Sequence, residues 1–198
     1  ENQVLHSDIS EHLIVITDDE LQYSYEPGWN IVSSPLELSS SSVDDIFDVD
    51  SYCFELFNQY GDIHTCTEDV SNPIEFQVSE GYYMVSENEV ELDIQGQVLN
   101  EIFLIDLDDG WNLVGHPLVA KILVDSLQVI DSSNSDNTPI SWDEAVSNNL
   151  LMPTIHGFSN ELKMHTPVNV LEPFHGYWIH ASRDLQLMIS PHIYEESF

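Results

Sequence analysis

Tyr82-Tyr83 and Tyr177-Trp178 are adjacent aromatic pairs. Neighbouring residues on a strand point to opposite faces, so one ring of each pair can enter a core while the other meets solvent. A flat ring beside polar side chains can stack on the C–H face of a pyranose. Trp178, Tyr83 and Trp142 are the rings expected outside, and they are the glycan-binding candidates. Core packing is the competing role for each. It is the role expected of Trp29 and Trp111.

Carboxylates are the second group. Asp44, Asp45, Asp48 and Asp50 cluster at one short helical stretch, Asp106, Asp108 and Asp109 at another position, and Asp131, Asn134 and Asp136 in a polar turn. Hard cations take several oxygens of this kind, so calcium is the ion these clusters could hold, with the last two groups as the candidate ligands. None has the spacing of an EF-hand loop. A solvated acidic surface explains the same residues. Nine histidines are present. His116, His175 and His180 sit at or near the motif strands of the second copy. His175 and His180 are an odd number of residues apart, so one strand would turn them to opposite faces, and no transition-metal site is expected.

Nothing marks a reaction. There is no Gly-x-Ser-x-Gly elbow, no phosphate loop and no zinc-protease helix motif. Carboxylate pairs can always be drawn among 36 acids, so pairing alone identifies no glycosidase. No enzyme and no resident cofactor other than calcium is expected.

The balance of 36 acids against Lys121, Lys163 and Arg183 gives a formal charge of −33. Such a chain repels nucleic acid and anionic membranes. No apolar run approaches the roughly 20 residues of a membrane helix. Regular apolar alternation and 10% aromatic residues argue for a folded chain despite the charge. A solvated acidic surface suits a saline, extracellular setting such as the surface of a marine bacterium. The chain begins without Met and without a signal-peptide pattern, as expected of a processed product or a piece of a longer protein. Cys53 and Cys66 flank a hairpin pattern whose turn falls at residues 58–61, which would bring the two sulfurs together as a disulfide; two buried thiols are the alternative. A disulfide would agree with export.

The elements that must position these groups are written twice. Gly28-Trp29-Asn30-Ile31-Val32-Ser33 returns as Gly110-Trp111-Asn112-Leu113-Val114-Gly115, and Gly81-Tyr82-Tyr83 returns as Gly176-Tyr177-Trp178. The Trp-to-Trp spacing is 82 residues and the Gly-to-Gly spacing 95, so the second copy has gained about 13 residues between its motifs. The pattern predicts a mainly β protein with short helices (α+β), made of two tandem homologous units. Each is a small antiparallel sheet or barrel-like β module. Residues 1–26 lead in with strands, 27–100 form the first unit, 101–190 the second, and 191–198 a tail. Strands are expected at 12–17, 21–25, 29–33, 74–78, 81–85, 90–94, 102–107, 111–114, 127–130, 176–179 and 185–189. Helices are expected at 43–47, 119–127 and 142–149, the last capped by Ser141. Residues 127–130 are matched to the start of the cysteine hairpin, and 153–170 are expected to be irregular. The units are expected to pack end to end.

The paired motifs resemble a family of duplicated Gly-Trp-Asn repeat domains found in large secreted bacterial proteins. The resemblance covers roughly residues 26–190. It implies a stalk or accessory module without a shared catalytic site, and it carries no functional residues across. The expected role is a non-catalytic structural or adhesion module. Its partners would be other domains of the same protein or copies of itself. Carbohydrate binding through exposed aromatics is the alternative.

Overall fold

The computed structural model describes residues 20–47, 53–65, 74–131, 133 and 137–191, together with the backbone of the short paired strands Gln3–Val4 and Val15–Ile16. The protein is mainly β, built from small antiparallel sheets with two short α-helices and one 3₁₀ turn among the described residues. In the first half, Val90–Val98 pairs on one side with Glu20–Tyr25 and on the other with Leu36–Leu38. Its strict alternation explains the fold locally: Val90, Leu92 and Ile94 are buried while Glu91, Asp93 and Gln95 face water. A second sheet has the order Gly28–Val32, Tyr82–Ser86, Phe54–Phe57, Ile63–Thr65.

The second half follows the same order. Gly110–Gly115, Gly176–Ala181, Ile155–Ser159 and Met164–Val168 make one sheet. Phe103–Leu107, Leu185–Ile189, Gln128–Ile130 and Ile140–Ser141 make the other. One ladder in each motif-bearing sheet settles which residues correspond. Phe57 lies opposite Tyr83, and His156 lies opposite Trp178. The counterpart of the cysteine hairpin is therefore 155–168, the stretch expected to be irregular. Gln128–Ile130 instead joins the sheet of Leu185–Ile189. The hairpin escaped notice because its outer strand, Met-His-Thr-Pro-Val, carries no apolar alternation and is largely exposed. The helix expected at 119–127 is instead the strand Ile122–Leu123 followed by the 3₁₀ turn Val124–Ser126. Residues 74–78 bury Ile74 and Phe76 in alternation, yet their only bridge among the described residues is Glu75 to Ser42. The helix Val43–Ile46 is a single turn. In Trp142–Ser147 the Ser141 hydroxyl accepts from the Glu144 N–H as an N-cap, as expected.

The motif residues each have a mechanical task. Gly28 and Gly110 adopt φ of +106° and +108°, where a side chain is strained. Asn112 ties the turn below: its Oδ1 accepts from Asp108 N at 2.8 Å, and its Nδ2 donates to the carbonyls of Asp108 and Gly110. Asn30 donates likewise to the Glu26 carbonyl at 2.8 Å. The Tyr82 hydroxyl accepts from Gln77 N at 2.8 Å, and that of Tyr177 accepts from Glu172 N at 2.7 Å, each clamping the backbone five residues upstream. A Cβ on Gly110 would meet no atom within 4 Å, so Gly110→Ala isolates the backbone strain; it is expected to cost about 1–3 kcal/mol in chemical denaturation. At Gly28 the Cβ would also sit 2.8 Å from Asn160 Oδ1, a side-chain tip that can turn aside, so any cost of Gly28→Ala beyond that of Gly110→Ala comes from the Asn160 hydrogen bond to Pro27 O.

The halves are joined through these same motifs rather than simply abutted. Gly81 N–H donates to Leu113 O, and Gly115 N–H to Ser79 O. On the opposite side Ser33 N–H donates to Phe174 O, and the Ser33 hydroxyl donates to His175 O at 2.8 Å and accepts from His116 N–H at 3.2 Å. The contacts are reciprocal. A Cβ on Gly81 would press on the Leu113 side chain at 3.1 Å, and one on Gly176 on the Ile31 side chain at 2.5 Å. Each Gly-Tyr glycine is thus the seat for the aliphatic residue of the other half's Gly-Trp-Asn strand. Phe174 goes further: it is fully buried in the core of the first half, stacked on Tyr23.

Candidate functional site

The strands that carry the motifs turn one face inward and the other out. Tyr82 and Tyr177 are buried, while Tyr83 and Trp178 lie half-buried on the outer face, as adjacency requires. Trp29 and Trp111 share that outer face. They are 43% and 50% exposed, so the expectation that they are core residues is overturned. Alternation correctly places Trp29 with Ile31, and Trp111 with Leu113. The aliphatic residue is covered by the other half, whereas the indole two positions earlier lies beyond that contact. Trp142 is the converse correction. It is 3% exposed, packed with Ala145 three positions on in the core of the second half, and can stack on no ligand.

The outward rings form one row. Phe57 stacks on Trp29 at 6.1 Å between centroids, Trp29 meets Tyr83 at 6.2 Å, and Tyr83 meets Trp178 at 6.4 Å. Trp178 meets Trp111 edge to face at 6.3 Å, and Trp111 meets His156 at 5.9 Å. The row reads the same from either end: ring, Trp, aromatic, then aromatic, Trp, ring. Its centre is the Tyr83–Trp178 contact, where the halves meet. There the Trp178 Nε1–H donates to the Tyr83 hydroxyl at 2.8 Å, and that hydroxyl lies 2.7 Å from His165 Nε2. An indole N–H can only donate, which leaves the phenol proton free to go to His165. Burial pushes the Tyr83 phenol pKa upward and the Trp178 hydrogen bond pulls it partly back, so the phenol keeps its proton near neutral pH.

In the second half the row opens into a cleft of about 570 Å³, lined by Tyr83, Trp111, Met152, His156, His165 and Trp178. Among the described residues no carboxylate, ammonium or guanidinium lines it. His156 Nε2 is held 3.0 Å from the Thr154 hydroxyl. The sequence had singled out Trp178 and Tyr83. His156 and His165 were missed because they sit in the unforeseen hairpin, and Trp29 and Trp111 were assigned to the wrong side.

The other candidates disperse. Asp106, Asp108 and Asp109 are exposed; Asp106 accepts from Gln186, and Asp109 N–H is engaged by Asp184. The Asp131 carboxylate accepts from the Ser133 hydroxyl and N–H and lies 3.5 Å from Arg183, and these contacts, Ser133 foremost, hold its pKa down. Asn134 and Asp136 lie outside the described residues, as do Asp48 and Asp50. Among the described residues no three His, Cys, Asp or Glu side chains gather as a metal site. Cys53 is disulfide-bonded; Cys66, the chain's other cysteine, lies outside the described residues. No described helix is long and apolar enough to cross a membrane. Compared with protein families, with characterised proteins and with solved structures, the chain matches none.

Proposed function

We propose that this chain is a non-catalytic glycan-binding module of a secreted surface protein, built from two copies of one Gly-Trp-Asn/Gly-Tyr unit, with the ring row as its binding face. One observation carries the reading: outward aromatic rings form a continuous row across both halves, centred where the halves join. Solvated indoles cost free energy unless something covers them, and a contiguous apolar patch marks an interaction site. Sugars suit this patch because polar atoms are interleaved with the rings: the Tyr83 hydroxyl and the imidazoles of His165 and His156 can exchange hydrogen bonds with hydroxyl groups. Carboxylates that could cleave a glycosidic bond do not line the cleft, which favours holding over cutting. The Cys53 disulfide and the acidic composition support an extracellular place for it.

Retention on a panel of immobilised polysaccharides tests this. Trp111→Ala is expected to weaken binding about tenfold or more, the loss typical of a central aromatic anchor, while leaving the melting temperature unchanged because the ring is half exposed. Tyr60→Ala, which removes an exposed ring at a hairpin tip, should leave binding intact. Equal loss from both variants, or from neither, would contradict the assignment.

A further inference from the structure

The electrostatics of the row narrow the ligand class. The chain carries −33, and none of its three cations lines the cleft. Lys121 pairs with Glu172 at 2.9 Å, Arg183 with Asp131 at 3.5 Å, and Lys163 Nζ donates to Asn160 Oδ1. Sites that take carboxylate or sulfate groups use Arg or Lys clamps, and none lines the cleft; the cation beside the row, Lys163 next to Gly28, is held by Asn160. An anionic chain would meet the field of the whole protein with no cation in the cleft lining to offset it. The cleft itself is uncharged, lined by rings, one thioether and imidazoles. Its polar atoms are directional rather than ionic, with the Trp178 N–H, the Tyr83 hydroxyl and His165 already linked in sequence.

Extent is the second observation. The row runs beyond the cleft, through Tyr83 to Trp29 and Phe57 in the other half. It offers stacking faces to several sugar units, which a monosaccharide could not use. Trp29 stands clear of the cleft lining yet is 43% exposed.

We infer that the row takes a stretch of an uncharged polysaccharide laid across both halves, and that it discriminates against chains bearing carboxylate or sulfate groups. This rests on the glycan-binding reading above. Affinity electrophoresis at low and high salt tests it, using a panel of soluble uncharged polysaccharides (glucans, mannans, galactans and chitin oligomers) beside carboxymethylated or sulfated forms of the same backbones. The expected result is retardation by at least one uncharged backbone and at least tenfold weaker binding to its charged form at low salt, the gap narrowing at high salt as screening grows. Trp29→Ala should weaken binding of the long chain several-fold and leave that of a disaccharide unchanged. Equal or tighter binding of the charged form at low salt overturns the inference while sparing the glycan-binding reading. An unaltered long-chain affinity in Trp29→Ala overturns the claim that both halves are used. No retardation by any chain, charged or not, overturns the reading on which it rests.

Discussion

Gly115→Ala should lower stability by about 3 kcal/mol or more, a fall of roughly 10 °C in melting temperature for a chain of this size. A Cβ there would overlap the carbonyl oxygen of Glu80, and would also come within 2.9 Å of Ser33 Cβ. The obstacle is backbone of the other half, which cannot swing aside as a side-chain tip can. Relief would require the Gly115 N–H to Ser79 O bond and the Glu80–Val114 bridge to open. Gly96→Ala provides a comparison, since its Cβ would strike the Glu37 carbonyl inside the first half. Both should destabilise, and only Gly115→Ala should separate the halves. The interlock can also be read by a double-mutant cycle. Gly176→Ala and Ile31→Ala should be non-additive by about 1 kcal/mol or more, because the second removes the methyl that the first collides with. Additive effects would mean that the halves do not meet there.

His116 should make the protein lose stability on mild acidification. The side chain is 1% exposed; its Nε2 is bonded to the Ala120 carbonyl at 2.7 Å, and its Nδ1 has no partner among the described residues. Burial foremost lowers its pKa from 6.5 to about 4, with His175 adding to the effect and the Ala120 carbonyl opposing it. Between those values the unfolded chain binds a proton that the folded chain refuses. The contribution is therefore present in full above pH 6.5 and is lost as pH falls toward 4, at roughly 1.4 kcal/mol for each tenfold difference in proton affinity, or about 3 kcal/mol in all. Acidification also discharges the carboxylates and relieves repulsion, so the effect is measured as a difference. Urea denaturation of wild type and His116→Leu at pH 7 and pH 4.5 should show the variant less stable at pH 7, where it leaves the Ala120 carbonyl unpaired, and closer to or above wild type at pH 4.5. A difference independent of pH would contradict the neutral buried imidazole.

Much of the fold was legible because the local signals agreed. The alternation over residues 90–94, the Ser141 cap and the duplicated motifs all appear where expected, although the first of these strands runs on to Val98 to pair with Leu36–Leu38. The opposite facing of Tyr82 and Tyr83 was legible for the same reason. The side of the sheet that faces water was not. Alternation sorts residues into two faces without saying which is covered, and here part of the outer face is covered by the other half. Ile31 is buried by that contact and Trp29 is not. The Ile155–Ser159 and Met164–Val168 hairpin was hidden for a related reason: its outer strand is largely exposed and lacks β-rich composition, so it is held mainly by pairing, with Val168 alone packing on the core. His156 and His165 went unseen with it. Trp142 was misplaced although Trp142 and Ala145 share one helix face, because a helix of under two turns gives too little periodicity to orient.

A bound glycan should cover the outward rings. Tryptophan fluorescence reads this directly, because Trp29, Trp111 and Trp178 lie on the row while Trp142 is buried in the core. Titrating the uncharged polysaccharide that retards the protein most should shift the emission to shorter wavelength and shield it from a soluble quencher, and the shift should shrink in Trp111→Ala. Emission and quenching that stay unchanged at saturating polysaccharide would mean that the rings remain in water and that the binding face lies elsewhere.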